Sequence, residues 1–286
     1  MKGEAAGFDR SRLADMLRTR EPEALEEIRL AAENATLTAL GNRVYYRGLI
    51  EFSNVCSMNC LYCGIRRDNG KQRRYTASLE QILDAAEFCA RAGYGSVVLQ
   101  SGERTDPKFV DFVEEVVFAV KERTSSPRLP NGLGITLCVG EQPRHVLRRF
   151  RRAGAHRYLL RIETTNQRLF RSIHPGGQSL ESRLECLEAL REEGFAVGTG
   201  VMIGLPGQTP EMLADDLLFY RKHDFDMFGM GPFIPHPDTP MGSAQVAPPG
   251  ERVRLALLMI GLTRLITVDT NIAATTALQA LDPLGR

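Results

Sequence analysis

The sequence predicts an α/β protein of the TIM-type (β/α) barrel kind. From Tyr45 onward, short β-type segments alternate with helix-type segments, the pattern of a parallel sheet with helical crossovers. Several strands are nearly continuous apolar runs, such as Val97-Val98-Leu99, as strands covered on both faces require. Polar residues recur at strand ends, at Asn54, Ser101, Gly140-Glu141, Glu163 and Gly204, where a barrel carries its functional groups.

Residues 1–44 form an N-terminal unit. Its helices, Asp9–Arg20 and Glu21–Ala39, are predicted from Leu and Ala at three- and four-residue spacing, and Gly41-Asn42 ends the pattern. Residues 45–286 form the barrel. Strands are predicted at Gly48–Asn54, Ser96–Ser101, Gly134–Val139, Arg157–Glu163, Ala196–Ile203, Met227–Pro232 and Thr267–Ala273. Helices are predicted at Ser78–Ala92, Pro107–Lys121, Arg144–Ala153, Leu180–Glu192, Pro210–His223 and Gly250–Leu265. Ser78 with Gln81 reads as a capping box, and Gly93 and Gly194 stand where C-terminal caps belong. The Pro- and Gly-rich stretch Gly231–Gly250 reads as one long βα loop. Seven strands are visible, so the barrel is expected to be open at a seam, with an eighth strand lying beyond Arg286. The N-terminal helices are expected to cover part of the bottom or of that seam.

Composition narrows the function. The 286 residues carry 36 Lys and Arg against 35 Asp and Glu, a net charge of +1, which argues against an affinity for nucleic acid built on a basic surface. No apolar run reaches the roughly 18 residues of a spanning helix, so no membrane partner is expected. Residues Met1–Arg20 show no apolar stretch of signal type. Six cysteines in a chain of this size read as a reducing, cytoplasmic setting rather than a disulfide framework.

The strongest chemical signal is Cys56-Ser-Met-Asn-Cys60-Leu-Tyr-Cys63, directly after the first strand. Three soft thiolates in a tight loop select zinc, Cu(I) or an iron–sulfur cluster. Structural zinc wants four closed ligands, and a four-iron cluster also has four corners. Here three are local, so a fourth ligand comes from elsewhere or one iron is left open. Cys89 and Cys186 fall in helices and read as small hydrophobes, and Cys138 lies alone on a strand.

At this motif the chain resembles the radical SAM superfamily, and within it the HydE-type maturases of [FeFe] hydrogenase. The resemblance extends through Tyr45–Cys56, Gly64–Asn69, Leu99–Glu103, Arg157–Glu163, Gly204–Thr209, Gly231–Pro240 and Asn271–Ala277, in order along the chain. It implies a [4Fe-4S] cluster held by the catalytic cysteines Cys56, Cys60 and Cys63, and S-adenosyl-L-methionine (SAM) cleaved to a 5′-deoxyadenosyl radical. It places Tyr62 by the adenine, Gln100-Ser101-Gly102-Glu103 at the SAM amino group, Glu163 at the ribose, Arg183 at the carboxylate, and Met227 and Ile234 as walls. The substrate side is implied to be Gln100, Thr136, Arg161, Thr275 and Thr276, a set suited to a small organometallic or amino-acid-derived anion. The implied partners are an external electron donor and sister hydrogenase-maturation proteins.

Arg161 and Glu163, two apart on a strand, face the same way and are expected to pair or to meet a charged ligand. His236 reads as a ligand, a base or a loop-shaping residue, and His145, His156, His174 and His223 as surface or loop residues. Arg66, Arg67, Lys71, Arg73 and Arg74 read as a solvated loop, with a docking patch as the alternative. Three other functions compete. Within the resemblance the alternative is another small-molecule radical SAM enzyme of the biotin synthase and methylornithine synthase group, of which biotin-synthase-like sulfur insertion needs additional strand cysteines that the predicted strands Ser96–Ser101 and Ala196–Ile203 lack. An iron–sulfur scaffold or electron carrier needs a fully ligated cluster, and a zinc-binding structural protein needs four closed ligands.

Overall fold

The alternation forms an open barrel of parallel strands wrapped by helices, described for residues 7–284 in a computed structural model. Residues 1–6 of the expected N-terminal unit, and Gly285-Arg286, lie outside the described residues. Helices α1 (Arg10–Arg18) and α2 (Pro22–Leu40) precede β1 (Gly48–Ser53). Then come α3 (Leu79–Arg91), β2 (Ser96–Ser101), α4 (Pro107–Arg123), β3 (Gly134–Cys138), α5 (Arg144–Ala153) and β4 (Arg157–Leu159). They are followed by α6 (Gln167–Ile173), α7 (Leu180–Glu192), β5 (Ala196–Thr199), β6 (Met202–Ile203) and α8 (Pro210–His223). The last elements are β7 (Met227–Phe228), β8 (Gly231–Pro232), α9 (Pro249–Thr267), β9 (Asn271–Ile272) and α10 (Thr276–Leu281).

Seven strands pair in parallel in the order β1-β2-β3-β4-β5-β7-β9, and β6 pairs with β8 as a second, two-stranded ladder. Among the described residues β1 and β9 remain the two free edges, so the barrel is open at one seam as the strand count predicts. Alternation along each strand divides two environments. Phe52, Val97, Leu99, Ile135, Leu137, Tyr158 and Val197 point outward and are buried under the helices. The other face lines the lumen: Leu49 and Glu51 on β1, Gln100 on β2, Thr136 and Cys138 on β3, and Arg161 and Glu163 beyond β4. Leu49, facing the lumen beside the open seam, is 55 % exposed.

Helices with clean signals sit where they are predicted. Ser78 and Gln81 form the reciprocal capping box of α3. Gly93 and Gly194 follow α3 and α7 in left-handed geometry. The strands differ more. Beyond Leu159 the ladder gives way because the Thr199 hydroxyl takes its place, donating to Leu160 O and accepting from Ile162 N. The strands predicted at 196–203 and 227–232 each split in two where Gly200 meets Gly229; a Cβ on Gly200 would stand 2.0 Å from Gly229 O. Thr267 belongs to α9, whose end is closed by Arg264 donating to Val268 O and Thr270 O, so β9 is shorter than predicted. Helices α6 and α10 were not predicted. The N-terminal helices lie on the outer helical layer: α1 packs on α8, with Arg10 bonded to Asp215 at 2.6 Å, and α2 packs on α9.

Candidate metal and cofactor centre

The three cysteines follow β1 on a loop that has almost no regular structure and is held by side chains instead. Arg74 is its staple: the guanidinium donates to the carbonyls of Asn54, Ile65, Arg66, Arg67 and Asn69 at 2.6–3.4 Å. Asn69 Nδ2 closes the loop onto Gly64 O at 2.7 Å, and the His236 ring lies against Gly64. His236 thus shapes this loop. Within the basic run Arg74 is consumed internally, while Arg67 pairs with Asp68 and Lys71 with Asp238 at the surface. Replacing Arg74 by Leu takes their side-chain donor from the carbonyls of Asn54, Ile65 and Arg67, whereas Arg66 O and Asn69 O keep backbone donors. It is expected to lower stability by about 3 kcal/mol and to reduce iron uptake, measured by chemical denaturation and metal analysis.

The loop also packs on the neighbouring strand end. Ser57 N donates to Glu103 O at 2.8 Å. Gly102 sits so close that a Cβ would stand 2.4 Å from Val55 O and 2.7 Å from Cys56 Cβ. Only glycine lets the end of β2 approach the first cysteine this way. Burial raises all three thiols, and burial together with Cys63 beside it pushes Cys60 up to about 12. A single zinc would draw its thiolates to about 3.8 Å from one another. Among the described residues no three His, Cys, Asp or Glu side chains are gathered to hold one ion. Cys56, Cys60 and Cys63 share one loop and raise one another's thiols, and three soft thiolates of this kind suit a cluster, which offers each a separate iron corner.

Next to the cysteines lies a charged ring. Arg161 Nη2 pairs with Glu163 Oε2 at 3.0 Å, so the two do face the same way although they stand past the end of β4. Glu163 itself adopts φ 64°, bridged in parallel to Val201. Arg183 is 7 % exposed, donates Nε–H to Glu141 Oε1 at 2.5 Å and Nη1–H to Arg161 O at 2.5 Å. Three of its five N–H groups remain for a ligand. Glu103 Oε2 accepts from Glu141 N at 2.9 Å, and burial pushes the Glu103 carboxyl up to about 7.

Sequence reasoning missed two groups. Glu141 is read from the sequence only as one of the polar strand-end residues, and the fold gives it Arg183 as its partner. His174, read as a surface or loop residue, does lie on the loop after α6, yet it is 2 % exposed, and burial with Arg183 nearby brings it down to about 4. Its Nδ1 lies 3.0 Å from Phe170 O, which can only accept, so Nδ1 carries the proton and Nε2 accepts from Tyr62 Oη at 3.2 Å.

Other predicted residues lie apart. Gln100 donates to Glu51 at 3.2 Å in the lumen, while Thr136 is fully buried with its hydroxyl unpaired. Ser101 Oγ is turned onto Gly102 O. Ile234 is 37 % exposed on the loop after β8. Met227 does not join the ring: it opens β7 at the N-terminal end, and its sulfur accepts from Arg47 at 3.3 Å. Thr275 donates to Met230 O at 3.0 Å, and Thr276 starts α10 on the exposed surface, because the chain turns helical just past the end of the predicted strand.

Comparison with known proteins agrees with this geometry. The profile of the radical SAM superfamily matches residues 50–220. The chain is 43% identical over 286 residues to the [FeFe] hydrogenase maturase subunit HydE of Thermotoga maritima, covering 100% of this chain and 78% of that protein. It is 28% identical over 275 residues to 3-methylornithine synthase of Methanosarcina acetivorans, covering 94% of this chain and 73% of that one. The crystal structure of methylornithine synthase (PylB) superposes with a TM-score of 0.85 at 26% identity, covering 97% of this chain and 80% of that one. No helix among the described residues is long and apolar enough to cross a membrane. The chain belongs to the radical SAM superfamily, in the group that contains HydE, and is an enzyme that uses a [4Fe-4S] cluster and SAM.

Proposed function

We propose that this enzyme acts in maturation of [FeFe] hydrogenase, cleaving SAM reductively and passing the radical to a small organometallic or amino-acid-derived substrate in the barrel lumen. The observation that carries this reading is the 43% identity with HydE across the whole chain. When bound, the cluster supplies one electron to the SAM sulfonium, which then releases a 5′-deoxyadenosyl radical.

The chain's own residues bind and orient. Cys56, Cys60 and Cys63 hold the cluster and leave one of its four irons without a protein ligand. Glu103 takes the SAM ammonium, Arg183 the carboxylate through its remaining N–H groups, and Glu163 the ribose. Tyr62, fixed by His174, lines the adenine side, and Ile234 covers it. Gln100, Thr136 and Arg161 face the lumen and receive the substrate; the unpaired Thr136 hydroxyl supports this, since a buried polar group needs a partner. An external electron donor and sister maturation proteins complete the partner set, in the cytoplasm.

Because only ionised Glu103 pairs with an ammonium and its carboxyl is held up to about 7, SAM should bind more tightly as pH rises from 6 to 8. Isothermal titration across that range checks this, and Glu103→Gln should flatten the dependence. The function itself is tested by adding the purified, reconstituted enzyme to a cell-free maturation mixture that lacks HydE. Restored hydrogenase activity supports the reading, whereas SAM cleavage without maturation points to a different small substrate.

A further inference from the structure

From the end of α6 at Ile173 the chain makes a short excursion to Gln178, of which the reaction above uses only His174. It touches the cysteine loop at three consecutive positions. Ile173 O accepts from Leu61 N at 2.9 Å, His174 Nε2 accepts from Tyr62 Oη at 3.2 Å, and Gln178 Oε1 lies 3.3 Å from Cys60 Sγ. Gly176 and Gly177 make the turn that returns Gln178 to the loop. No other hydrogen bond engages the Gln178 amide among the described residues. The two ends of a primary amide exchange by a half-turn about its last side-chain bond, which brings Nε2–H to where Oε1 stands. A thiolate on iron accepts that hydrogen, and hydrogen bonds to cluster sulfurs are among the factors that set a cluster's reduction potential.

We propose that Gln178 is a positioning residue of the cluster: its amide donates to the sulfur of Cys60 and raises the cluster's reduction potential. The donor stabilises the more negative, reduced state, which makes the cluster easier for a donor protein to charge. Ile173 and His174 fix the distance by tying the segment to the two residues after Cys60. This rests on the reading of Cys60 as a cluster ligand.

The test compares wild type with Gln178→Leu and Gln178→Glu, all full-length and reconstituted anaerobically. Iron and sulfide content are measured first, then the midpoint potential by EPR-monitored redox titration at pH 8. The expected result is wild-type iron content with the midpoint shifted negative in Gln178→Leu and further negative in Gln178→Glu, whose carboxylate repels the sulfur. Equal midpoints in all three proteins at full iron content overturn the proposal while leaving the cluster reading intact. Wild type that takes up no iron or sulfide overturns both. Should either variant load poorly, pulsed EPR on the reduced wild-type cluster decides. Protein labelled with 15N in the glutamine side chain is expected to show a 15N coupling, and its absence overturns the proposal.

Discussion

Serine at Cys56, Cys60 or Cys63 is expected to remove the cluster and bring SAM cleavage down to background, while serine at Cys89 or Cys186 leaves both in place. The first three are only half-buried on a loop that Arg74, Asn69 and Ser57 hold through backbone contacts. The fold therefore does not depend on their sulfurs, and circular dichroism should be unchanged. The iron does depend on them: a hydroxyl is a hard ligand that keeps its proton at neutral pH, whereas iron–sulfur clusters select thiolate. Cys89 on α3 and Cys186 on α7 are buried small hydrophobes, Cys186 making only a long contact of 3.8 Å to Gln142 O. The same chemistry fixes a pH dependence. Each thiol must lose its proton on binding, and Cys60 stands at about 12, so reconstitution releases protons and should proceed further at pH 8.5 than at pH 6.5. Iron per chain after fixed reconstitution measures both effects.

The second large effect is expected from Arg183→Met. Its guanidinium is buried against Glu141 and also closes onto Arg161 O, so truncation leaves a carboxylate without its partner. Breaking one side of such a pair costs about 3–5 kcal/mol of stability. It also removes the charge proposed for the SAM carboxylate. One charged hydrogen-bonded contact of about 1.5–3 kcal/mol corresponds to a loss of roughly 10- to 150-fold in SAM affinity. The double variant Arg183→Met with Glu141→Gln separates the two. Stability should largely return, because the stranded charge is gone, and SAM affinity should not. If affinity returns with stability, Arg183 acts through the fold alone.

Much of this architecture was legible because it is periodic and locally capped. Helices α5, α7 and α8 coincide with their predicted ranges, since each couples an amphipathic pattern to clear ends, and Ser179 and Thr209 cap two of them. The cysteine loop was legible because its chemistry is packed into eight consecutive residues. What was not legible depends on contacts distant in sequence. The Thr199 hydroxyl that ends β4 and the meeting of Gly200 with Gly229 leave no periodic trace. Seven-residue α6 is too short to show a stripe, and with it went the burial of His174. Met227 was assigned from the resemblance, but its level in the barrel depends on how its strand registers with β5, where it stands opposite Gly198. Glu141 and Gln178 are ordinary polar residues in the sequence; only folding brings them to Arg183 and Cys60.

The central claim is that this loop and the charged ring beside it cleave SAM reductively. Its most direct measurement is anaerobic: protein reconstituted with iron and sulfide, reduced with dithionite, mixed with SAM and analysed by liquid chromatography for products. The account predicts 5′-deoxyadenosine and methionine in equal amounts, formed only with reductant and absent from the Cys60→Ser variant. Fully reconstituted, folded protein that binds SAM and yields no 5′-deoxyadenosine under reduction would contradict it.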